Sequence, residues 1–347
     1  MRLSLSEKAA IYLTRRLPPA VMDRLARETD LVWNAENRAA SKVEIIAGLR
    51  GRDALLCNIA DSVDAEILSA SPVLKVVANF GVGFNNIDVA TATTRKIPVT
   101  NTPGVLTEAT ADLAFTLLLA AARRLGEGER LVRARQWNGW EPMQLLGADL
   151  VGTSLGIIGF GRIGRAVARR ARAFDLRVVY WNRTRLPAAE EAALGVTYAA
   201  LEQLLRQADF ISLHVAYGPQ THHLLGEAQF ALMKSTAYVI NTSRGAVVDE
   251  KALVRALQSR QIAGAGLDVY GNEPRLETGL YDLENVVLAP HLGSATIGTR
   301  TKMGMMALDN LLAACAGKRP PNCVNPEVFE GRGDANVLAR PNRHAKA

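Results

Sequence analysis

Cysteine is scarce in this chain: Cys57, Cys315 and Cys323 are the three cysteines among 347 residues. They are too few and too far apart for a disulfide scaffold, and none forms a CxxC pair that would suggest a zinc site. The spacing of His, Cys and carboxylate residues matches no metal-ligand pattern either. We therefore expect a protein of a reducing, cytoplasmic compartment that holds no metal.

Long apolar runs are also missing. Residues 1–10 lack the apolar core of a signal peptide, and the most apolar stretch, 113–122, is too short to cross a bilayer. The net charge of +7 comes from 41 basic and 34 acidic residues, and the basic residues are spread along the chain. Without a basic cluster or a nucleic-acid motif, we expect no membrane or nucleic-acid partner, and attraction for small anions instead.

What the chain does contain is an alternation of short apolar strands with helices. Together with a length of 347 residues and 48% hydrophobic residues, this pattern predicts an α/β protein of two doubly wound parallel-sheet domains. The first domain covers 1–100 and is completed by 292–330, the second covers 101–291, and the polar tail 331–347 is predicted to be disordered. A helix over 107–124 is so apolar that we expect it between domains or subunits.

The second domain begins with the sequence GFGRIG at 159–164, which lies between an apolar strand at 154–158 and an amphipathic helix at 165–174. In that context each glycine has a distinct role. Gly159 permits the tight turn, Gly161 lets the backbone approach a pyrophosphate, and Gly164 lets the helix pack on the strand. The helix N-terminus then binds the phosphates. The motif therefore favours a dinucleotide-binding turn rather than an ordinary glycine-rich turn.

The turn after the next strand, Arg177–Trp181, bears on which dinucleotide binds. An NAD-selective fold places an acidic residue there to bind the ribose hydroxyls, but this turn reads Asn182-Arg183-Thr184-Arg185. The two arginines can pair with a 2′-phosphate, and Asn182 carries no charge to repel it. We expect NADP(H) to be favoured, with NAD(H) possible.

Three polar residues follow strands of the second domain: Arg244, Glu273 and His291. At the carboxyl edge of a parallel sheet, Arg244 would bind a substrate carboxylate. The Glu273 carboxylate would favour the imidazolium form of His291, and His291 would donate a proton to a carbonyl oxygen. Each could instead be an ordinary loop residue, and His214, His222 and His223 compete as the acid. Three such residues after a dinucleotide motif indicate reduction of a 2-oxo acid by a nicotinamide hydride.

A glycine-rich loop, Asn79–Asn86, follows a strand of the first domain. Such loops bind ligands in doubly wound sheets, but the local sequence is equally typical of a connecting turn.

With these residues in place, the chain resembles the D-isomer-specific 2-hydroxyacid dehydrogenases up to about Pro326. The resemblance rests on the glycine motif and on NTSRGAVVD at 241–249, GAGLDV at 264–269 and PHLGS at 290–294. Within the family, NTPGVLT at 101–107, ATADLA at 109–114 and Gly139-Trp140 with Leu146-Gly147 look most like glyoxylate and hydroxypyruvate reductases. The loop Ala216–Pro219 departs from the usual family pattern.

The resemblance implies a flavodoxin-like substrate domain and a Rossmann domain with a cleft between them, and a homodimer joined through the Rossmann domains. It implies catalysis by Arg244, Glu273 and His291, and binding of the substrate carboxylate by the amides of Val82 and Gly83 with Arg244. The expected cofactor contacts are Thr107, Gly159, Gly161, Arg162, Ile163, Gly164, Asn182, Arg183, Thr184, Arg185, Thr242, Ser243, Arg244, Asp268 and Gly293.

Two other functions fit the same residues. One is a sibling dehydrogenase, such as 3-phosphoglycerate dehydrogenase, although those often carry an added C-terminal regulatory domain for which this chain is too short; a formate or phosphite dehydrogenase fits less well. The other is a nucleotide-sensing transcriptional corepressor on the same fold, which the triad cannot exclude. Steady-state turnover of glyoxylate with NAD(P)H separates an enzyme from a corepressor.

Overall fold

The computed structural model describes residues 8–36 and 38–330; the tail predicted at 331–347 lies outside them. The described chain divides into two compact units. The first contains the residues up to Leu106 and those from Thr296 onward, and the second is Thr107–Ala295. The sequence-based boundaries at 100/101 and 291/292 each fall a few residues short of these positions.

The first unit is built on a five-stranded parallel sheet. Its short, mostly buried strands pair in the order β2-β1-β3-β4-β5, which is the flavodoxin-like order. The strands are β1 (Ala10–Leu13), β2 (Asp30–Trp33), β3 (Ala54–Asn58), β4 (Val76–Phe80) and β5 (Val99–Thr100). The helices that join them are α1 (Pro19–Glu28), α2 (Lys42–Leu49), α3 (Ala65–Ser69) and α4 (Val89–Thr94). The sequence predicts strands at 8–14, 31–33, 54–57 and 75–78 and helices at 19–29, 42–49 and 64–69, and the bounds of each of these seven elements lie within two residues of the observed ones. The helix α4 and the strand β5 were not predicted.

The second unit holds a seven-stranded parallel sheet in the order β12-β11-β10-β9-β6-β7-β8. This is the Rossmann order with one further strand. The strands stay parallel, and the order in which they are added to the sheet reverses between β6 and β9. The strands are β6 (Ser154–Ile158), β7 (Arg177–Trp181), β8 (Val196–Tyr198), β9 (Phe210–Leu213), β10 (Tyr238–Asn241), β11 (Gly264–Leu267) and β12 (Val286–Leu288). The prediction of two doubly wound parallel sheets is confirmed.

Helices cover the sheet of the second unit: α5 (Thr107–Ala122), α6 (Leu125–Arg133), α7 (Arg162–Ala173), α8 (Ala188–Leu194), α9 (Leu201–Gln207), α10 (Glu227–Phe230) and α11 (Glu250–Gln258). After them the chain returns to the first unit, where α12 (Ile297–Cys315) buries Leu308 and Leu311 in the core. In the described part of the chain, no helix combines the length and the apolar character needed to cross a membrane.

The apolar helix predicted over 107–124 ends at Ala122, and Arg124 takes a left-handed conformation before α6 begins. Ala111, Ala114 and Leu117 of α5 belong to the hydrophobic core of the second unit itself. A Cβ added at Gly266 of β11 would lie 2.9 Å from the Leu117 Cβ, so helix and sheet pack closely. This packing accounts for the apolar composition of α5, which we had expected to face another domain or subunit.

Candidate active site

The GFGRIG segment turns sharply from β6 into α7, with Gly161 immediately before the helix. Gly159 has φ +94°, and a Cβ there would lie 2.6 Å from the backbone carbon of His214. A Cβ on Gly164 would lie 2.3 Å from the Gly159 carbonyl oxygen, because helix and strand nearly touch. At both positions any other residue would push the turn apart. Arg162 and Ile163 occupy the first turn of the helix.

These residues fit a bound dinucleotide. A Cβ on Gly161 would meet no atom within 4 Å, so open space lies over the helix N-terminus, where the free amides favour a phosphate. At the end of β10, the buried Thr242 Oγ1 has no hydrogen-bond partner among the described residues. A buried hydroxyl without a partner is costly, and a ligand group can satisfy it. Ser243 is buried beside it.

The two arginines of the turn after β7 have different partners. Arg185 donates from Nε and Nη2 to the two carboxylate oxygens of Glu191, both at 2.8 Å, and lies over the Tyr198 ring. The hydrogen bonds from Arg185 and then from Tyr180 lower the pKa of Glu191 to about 2, so the pair is charged near neutral pH. Arg185 is therefore already paired with a carboxylate, and the sequence analysis did not anticipate this.

Arg183, by contrast, is exposed and has a weaker contact. Its Nη1 donates at 3.3 Å to Oε1 of Gln220, which lies in the loop after β9, directly after the segment Ala216–Pro219. Asn182 donates to the Thr184 carbonyl at 3.1 Å, and its Oδ1 lies 3.5 Å from the Phe160 amide. The turn therefore meets the glycine motif through Asn182 and leaves the Arg183 side chain exposed.

Arg244 follows β10 and is held by its own strand end. The buried Asn241 donates from Nδ2 to the Arg244 carbonyl at 3.0 Å, while its Oδ1 accepts from the amide and hydroxyl of Ser243. The next residue, Gly245, packs so closely that a Cβ would lie 1.8 Å from the Tyr270 carbonyl carbon. Burial lowers the pKa of Arg244 and the Glu273 charge opposes this, and the guanidinium stays charged near neutral pH.

Glu273 and His291 form a pair. Glu273 Oε2 lies 2.8 Å from His291 Nδ1, and Glu273 Oε1 accepts from the Tyr270 amide at 3.0 Å. Partial burial by itself would raise the pKa of Glu273, but the hydrogen bond and charge of His291, the Tyr270 amide and Arg244 together lower it. A charged carboxylate thus orients the imidazole through Nδ1, and the second ring nitrogen is left for another partner.

Asp268, for which the sequence suggested no independent role, holds the turn that carries His291. Its carboxylate accepts from the amides of Leu292 at 2.6 Å and Gly293 at 2.8 Å, and its carbonyl accepts from the His291 amide at 3.0 Å. The Gly293 carbonyl in turn accepts from Thr110 of α5. His291 adopts φ +57°, a left-handed conformation that costs a non-glycine residue energy. These bonds keep it there.

The competing histidines do not share this geometry. Desolvation lowers the pKa of His214 to about 3, so its ring is neutral near pH 7, and it pairs with the Ser212 hydroxyl at 2.8 Å. His222 and His223 stack on each other on an exposed loop, with ring centroids 4.0 Å apart. Among the histidines of the described ranges, only His291 combines a carboxylate partner with a strand-end position next to Arg244 and Asp268.

The remaining predicted positions are Thr107, Val82 and Gly83. Thr107 is the first residue of α5. Val82 and Gly83 follow β4 in the first unit; both are half-buried, and their N–H groups have no acceptor among the described residues. Residues 8–36 and 38–330 contain no group of three or more His, Cys, Asp or Glu side chains that could hold a metal ion.

Sequence reasoning missed the residues that support the site: Asn241, Gly245, Tyr270 and Glu191. An asparagine that ends a buried strand, as Asn241 does, is a recognisable signal for a side chain that braces the following turn. Gly245 and Tyr270 contact each other from separate strand ends, and Glu191 reaches Tyr180 and Arg185 only because α8 packs back towards β7, which no local pattern reveals.

The chain is similar to known proteins over most of its length. The family model described as D-isomer specific 2-hydroxyacid dehydrogenase, NAD binding domain, matches residues 115–293. The glyoxylate reductase of Thermococcus litoralis is 47% identical over 326 residues, covering 93% of this chain and 98% of that protein. The glyoxylate reductase of Korarchaeum cryptofilum is 49% identical over 328 residues, with 94% and 98% covered.

A solved structure is similar as well. The NADPH-dependent glyoxylate/hydroxypyruvate reductase of Sinorhizobium meliloti, in complex with NADP and malonate, superposes with a TM-score of 0.84 at 34% identity. The match covers 94% of this chain and all of that one. With a nicotinamide-binding unit, a carboxylate-paired histidine and relatives this similar over nearly their full length, the chain belongs to the D-isomer-specific 2-hydroxyacid dehydrogenases.

Proposed function

We propose that the protein reduces a small 2-oxo acid, glyoxylate and also hydroxypyruvate, to the 2-hydroxy acid with NADPH as the favoured cofactor. The observation that carries this proposal is the 2.8 Å pair of His291 and Glu273 at the strand ends of the dinucleotide-binding unit, with Arg244 at the neighbouring strand. When bound, the nicotinamide supplies a hydride. The chain's own residues must then supply the proton and bind the carboxylate.

The proposed roles follow from charge and geometry. His291, oriented through Nδ1 by Glu273, gives a proton from its other nitrogen to the carbonyl oxygen, and the Glu273 carboxylate stabilises the charged ring before transfer. Arg244 binds the substrate carboxylate through its guanidinium fork. Val82 and Gly83 are proposed to donate their N–H groups to the same carboxylate. Asp268 keeps His291 in position.

A panel of 2-oxo acids with both cofactors tests this function. We expect glyoxylate to give the highest kcat/KM, hydroxypyruvate to be accepted, and 3-phosphohydroxypyruvate to react poorly. Efficient use of the phosphorylated acid would favour the sibling 3-phosphoglycerate dehydrogenase. The absence of turnover with every 2-oxo acid would favour the corepressor.

The cofactor preference rests on Arg183. In the Arg183→Ala variant we expect kcat/KM with NADPH to fall about 10–100-fold, because one charge-assisted pair to the 2′-phosphate is lost, while kcat/KM with NADH changes little. The measurement is the kcat/KM of both cofactors with saturating glyoxylate. An equal loss with both cofactors, or a wild type that prefers NADH, would contradict the assignment.

Arg185→Ala is the matched comparison in the same turn. Because Arg185 is paired with Glu191, its removal should lower the melting temperature. It should reduce the preference for NADPH over NADH by a smaller factor than Arg183→Ala does. The double variant separates the two contributions. If Arg185→Ala alone abolishes the preference for NADPH, the Arg185–Glu191 pair opens to receive the phosphate.

We further propose a cytoplasmic homodimer that binds neither nucleic acid nor membrane. The three cysteines are free, as a reducing compartment requires. One apolar surface available to a partner is the segment 125–151, where Trp140 is 82% exposed and Met143 76% exposed. Exposed apolar side chains of this size, close together in the chain, are typical of an interface.

The dimer proposal predicts that Trp140→Ser with Met143→Ser gives a monomer at micromolar concentration in light scattering. Val43→Ser, which removes an isolated apolar side chain that is 75% exposed, is the control and should leave a dimer. A wild-type protein that scatters as a monomer at this concentration would refute the proposal.

A further inference from the structure

Three successive carbonyl groups of the loop after β4 accept hydrogen bonds from residues of the first unit. The Gly81 oxygen accepts from the Thr102 amide at 2.9 Å, the Val82 oxygen from Asn101 Nδ2 at 2.8 Å, and the Gly83 oxygen from Asn79 Nδ2 at 2.8 Å. The loop also sits close to its neighbours, since a Cβ on Gly81 would lie 2.6 Å from the Ile59 Cγ2. Three successive carbonyls are therefore satisfied within the first unit.

These bonds determine where the amides point. In a planar trans peptide the C=O of one residue and the N–H of the next point in opposite directions. Holding the carbonyls of Gly81, Val82 and Gly83 therefore turns the N–H groups of Val82, Gly83 and Phe84 the other way. None of these three N–H groups has an acceptor among the described residues. Successive free amides of this kind form a concavity that binds anions.

Two side chains in this arrangement are themselves fixed. Asn79 is 1% exposed, and its Oδ1 accepts from Asn86 Nδ2 at 3.5 Å, so its own Nδ2 faces the Gly83 carbonyl. The backbone of Asn101 is held on both sides, because its amide donates to the Asn322 carbonyl and its carbonyl accepts from Asn310 Nδ2. Each asparagine is thus braced before it reaches the loop.

We infer that Asn101 and Asn79 are positioning residues for the substrate carboxylate: Asn101 orients the Gly83 N–H through the Val82 carbonyl, and Asn79 orients the Phe84 N–H through the Gly83 carbonyl. The Phe84 amide thereby becomes a third backbone donor beside those of Val82 and Gly83. The inference rests on the proposed 2-oxo acid reductase function. Neither asparagine touches the substrate, and each acts through one peptide plane.

The kinetic signature of this role is a change in KM without a matching change in kcat. The carboxylate has the same charge in the ground state and the transition state, so a weakened amide donor costs both states equally. We expect Asn101→Ala to raise the KM for glyoxylate about tenfold, with kcat within about threefold of wild type and the Kd for NADPH unchanged. Asn79→Ala should shift KM in the same direction, and it tests the inference independently if the first variant does not fold.

Asn325→Ala is the matched control. Asn325 is also 1% exposed in the first unit, and its side chain makes four hydrogen bonds, with the Val99 amide, the Ile97 carbonyl, the Thr93 hydroxyl and the Cys323 thiol. Its loss should lower the melting temperature at least as much as Asn101→Ala, with no change in KM. A general loss of stability would instead lower the amount of active enzyme in all three variants and leave the KM for glyoxylate unchanged.

Oxalate binding separates this inference from the reductase function. The measurement is the Kd of oxalate, a non-reducible dicarboxylate, for the NADPH-loaded protein by calorimetry, which needs no turnover. We expect Asn101→Ala to weaken oxalate about tenfold and Asn325→Ala to leave it unchanged. A folded Asn101→Ala variant with wild-type KM and wild-type oxalate affinity would overturn the inference. Weakened oxalate binding without turnover of any 2-oxo acid by the wild type would retain the inference and refute the reductase function.

Discussion

Replacing His291 by alanine is expected to lower kcat for glyoxylate by about 10²–10⁴-fold, because the carbonyl oxygen loses its proton donor in the transition state. The ring is oriented for proton donation by the 2.8 Å contact with Glu273 and by the Asp268 clamp on its backbone. Cofactor affinity should be largely kept, since the imidazole is not part of the phosphate-binding turn. The measurement is steady-state kcat together with the Kd for NADPH from a fluorescence titration.

His222→Ala is the control for this prediction. His222 is a histidine of the same unit on an exposed loop, and its removal should leave kcat near the wild-type value. Glu273→Gln keeps the shape of the carboxyl group and removes its charge, so we expect an intermediate loss of kcat. Full activity in a folded His291→Ala protein would show that the proton comes from another group.

Arg244→Lys is expected to lower kcat/KM for glyoxylate by about 10–100-fold, although the positive charge is kept. An ammonium group cannot reproduce the planar, two-pronged contact of a guanidinium with a carboxylate. The turn that carries Arg244 is tightly constrained by Asn241 and by the packing of Gly245 on Tyr270, so the shorter reach of lysine cannot be recovered by a backbone shift. The check is kcat/KM measured at equal amounts of folded protein.

Arg255→Lys provides the matched comparison, because Arg255 lies on the surface of α11 in a pair with Glu227. It should leave kcat/KM unchanged. If lysine at 244 works as well as arginine, position 244 contributes only positive charge, and another group must orient the carboxylate.

The sequence predicted most of the architecture because buried parallel strands are short apolar runs and their helices are amphipathic. The strands predicted at 177–181, 210–213 and 238–241 and the helix predicted at 42–49 have the same bounds as β7, β9, β10 and α2. The strands β5 and β8 were missed, since runs of two and three residues carry no periodicity. The apolar composition of α5 was interpreted as an interface, because sequence alone does not distinguish burial within one unit from burial between two.

The candidate catalytic residues could be found from the sequence because each follows a strand. The sequence could not predict the hydrogen-bond and packing partners that determine the charge and orientation of the side chains around the site. The Arg185–Glu191 pair depends on α8 folding back towards β7, and the low pKa of His214 depends on burial behind the β9 end. The carbonyl contacts of Asn79 and Asn101 likewise depend on tertiary packing, because each asparagine could equally face solvent in an isolated loop.

One measurement tests the central claim most directly: product analysis after the wild-type protein reacts with glyoxylate and NADPH that carries deuterium at both hydrogen positions of nicotinamide C4. The account predicts one glycolate formed for each NADPH oxidised, with deuterium carried to C2 of glycolate, and loss of this product in His291→Ala. Oxidation of NADPH without glycolate, or glycolate without deuterium transfer from the cofactor, would contradict the account.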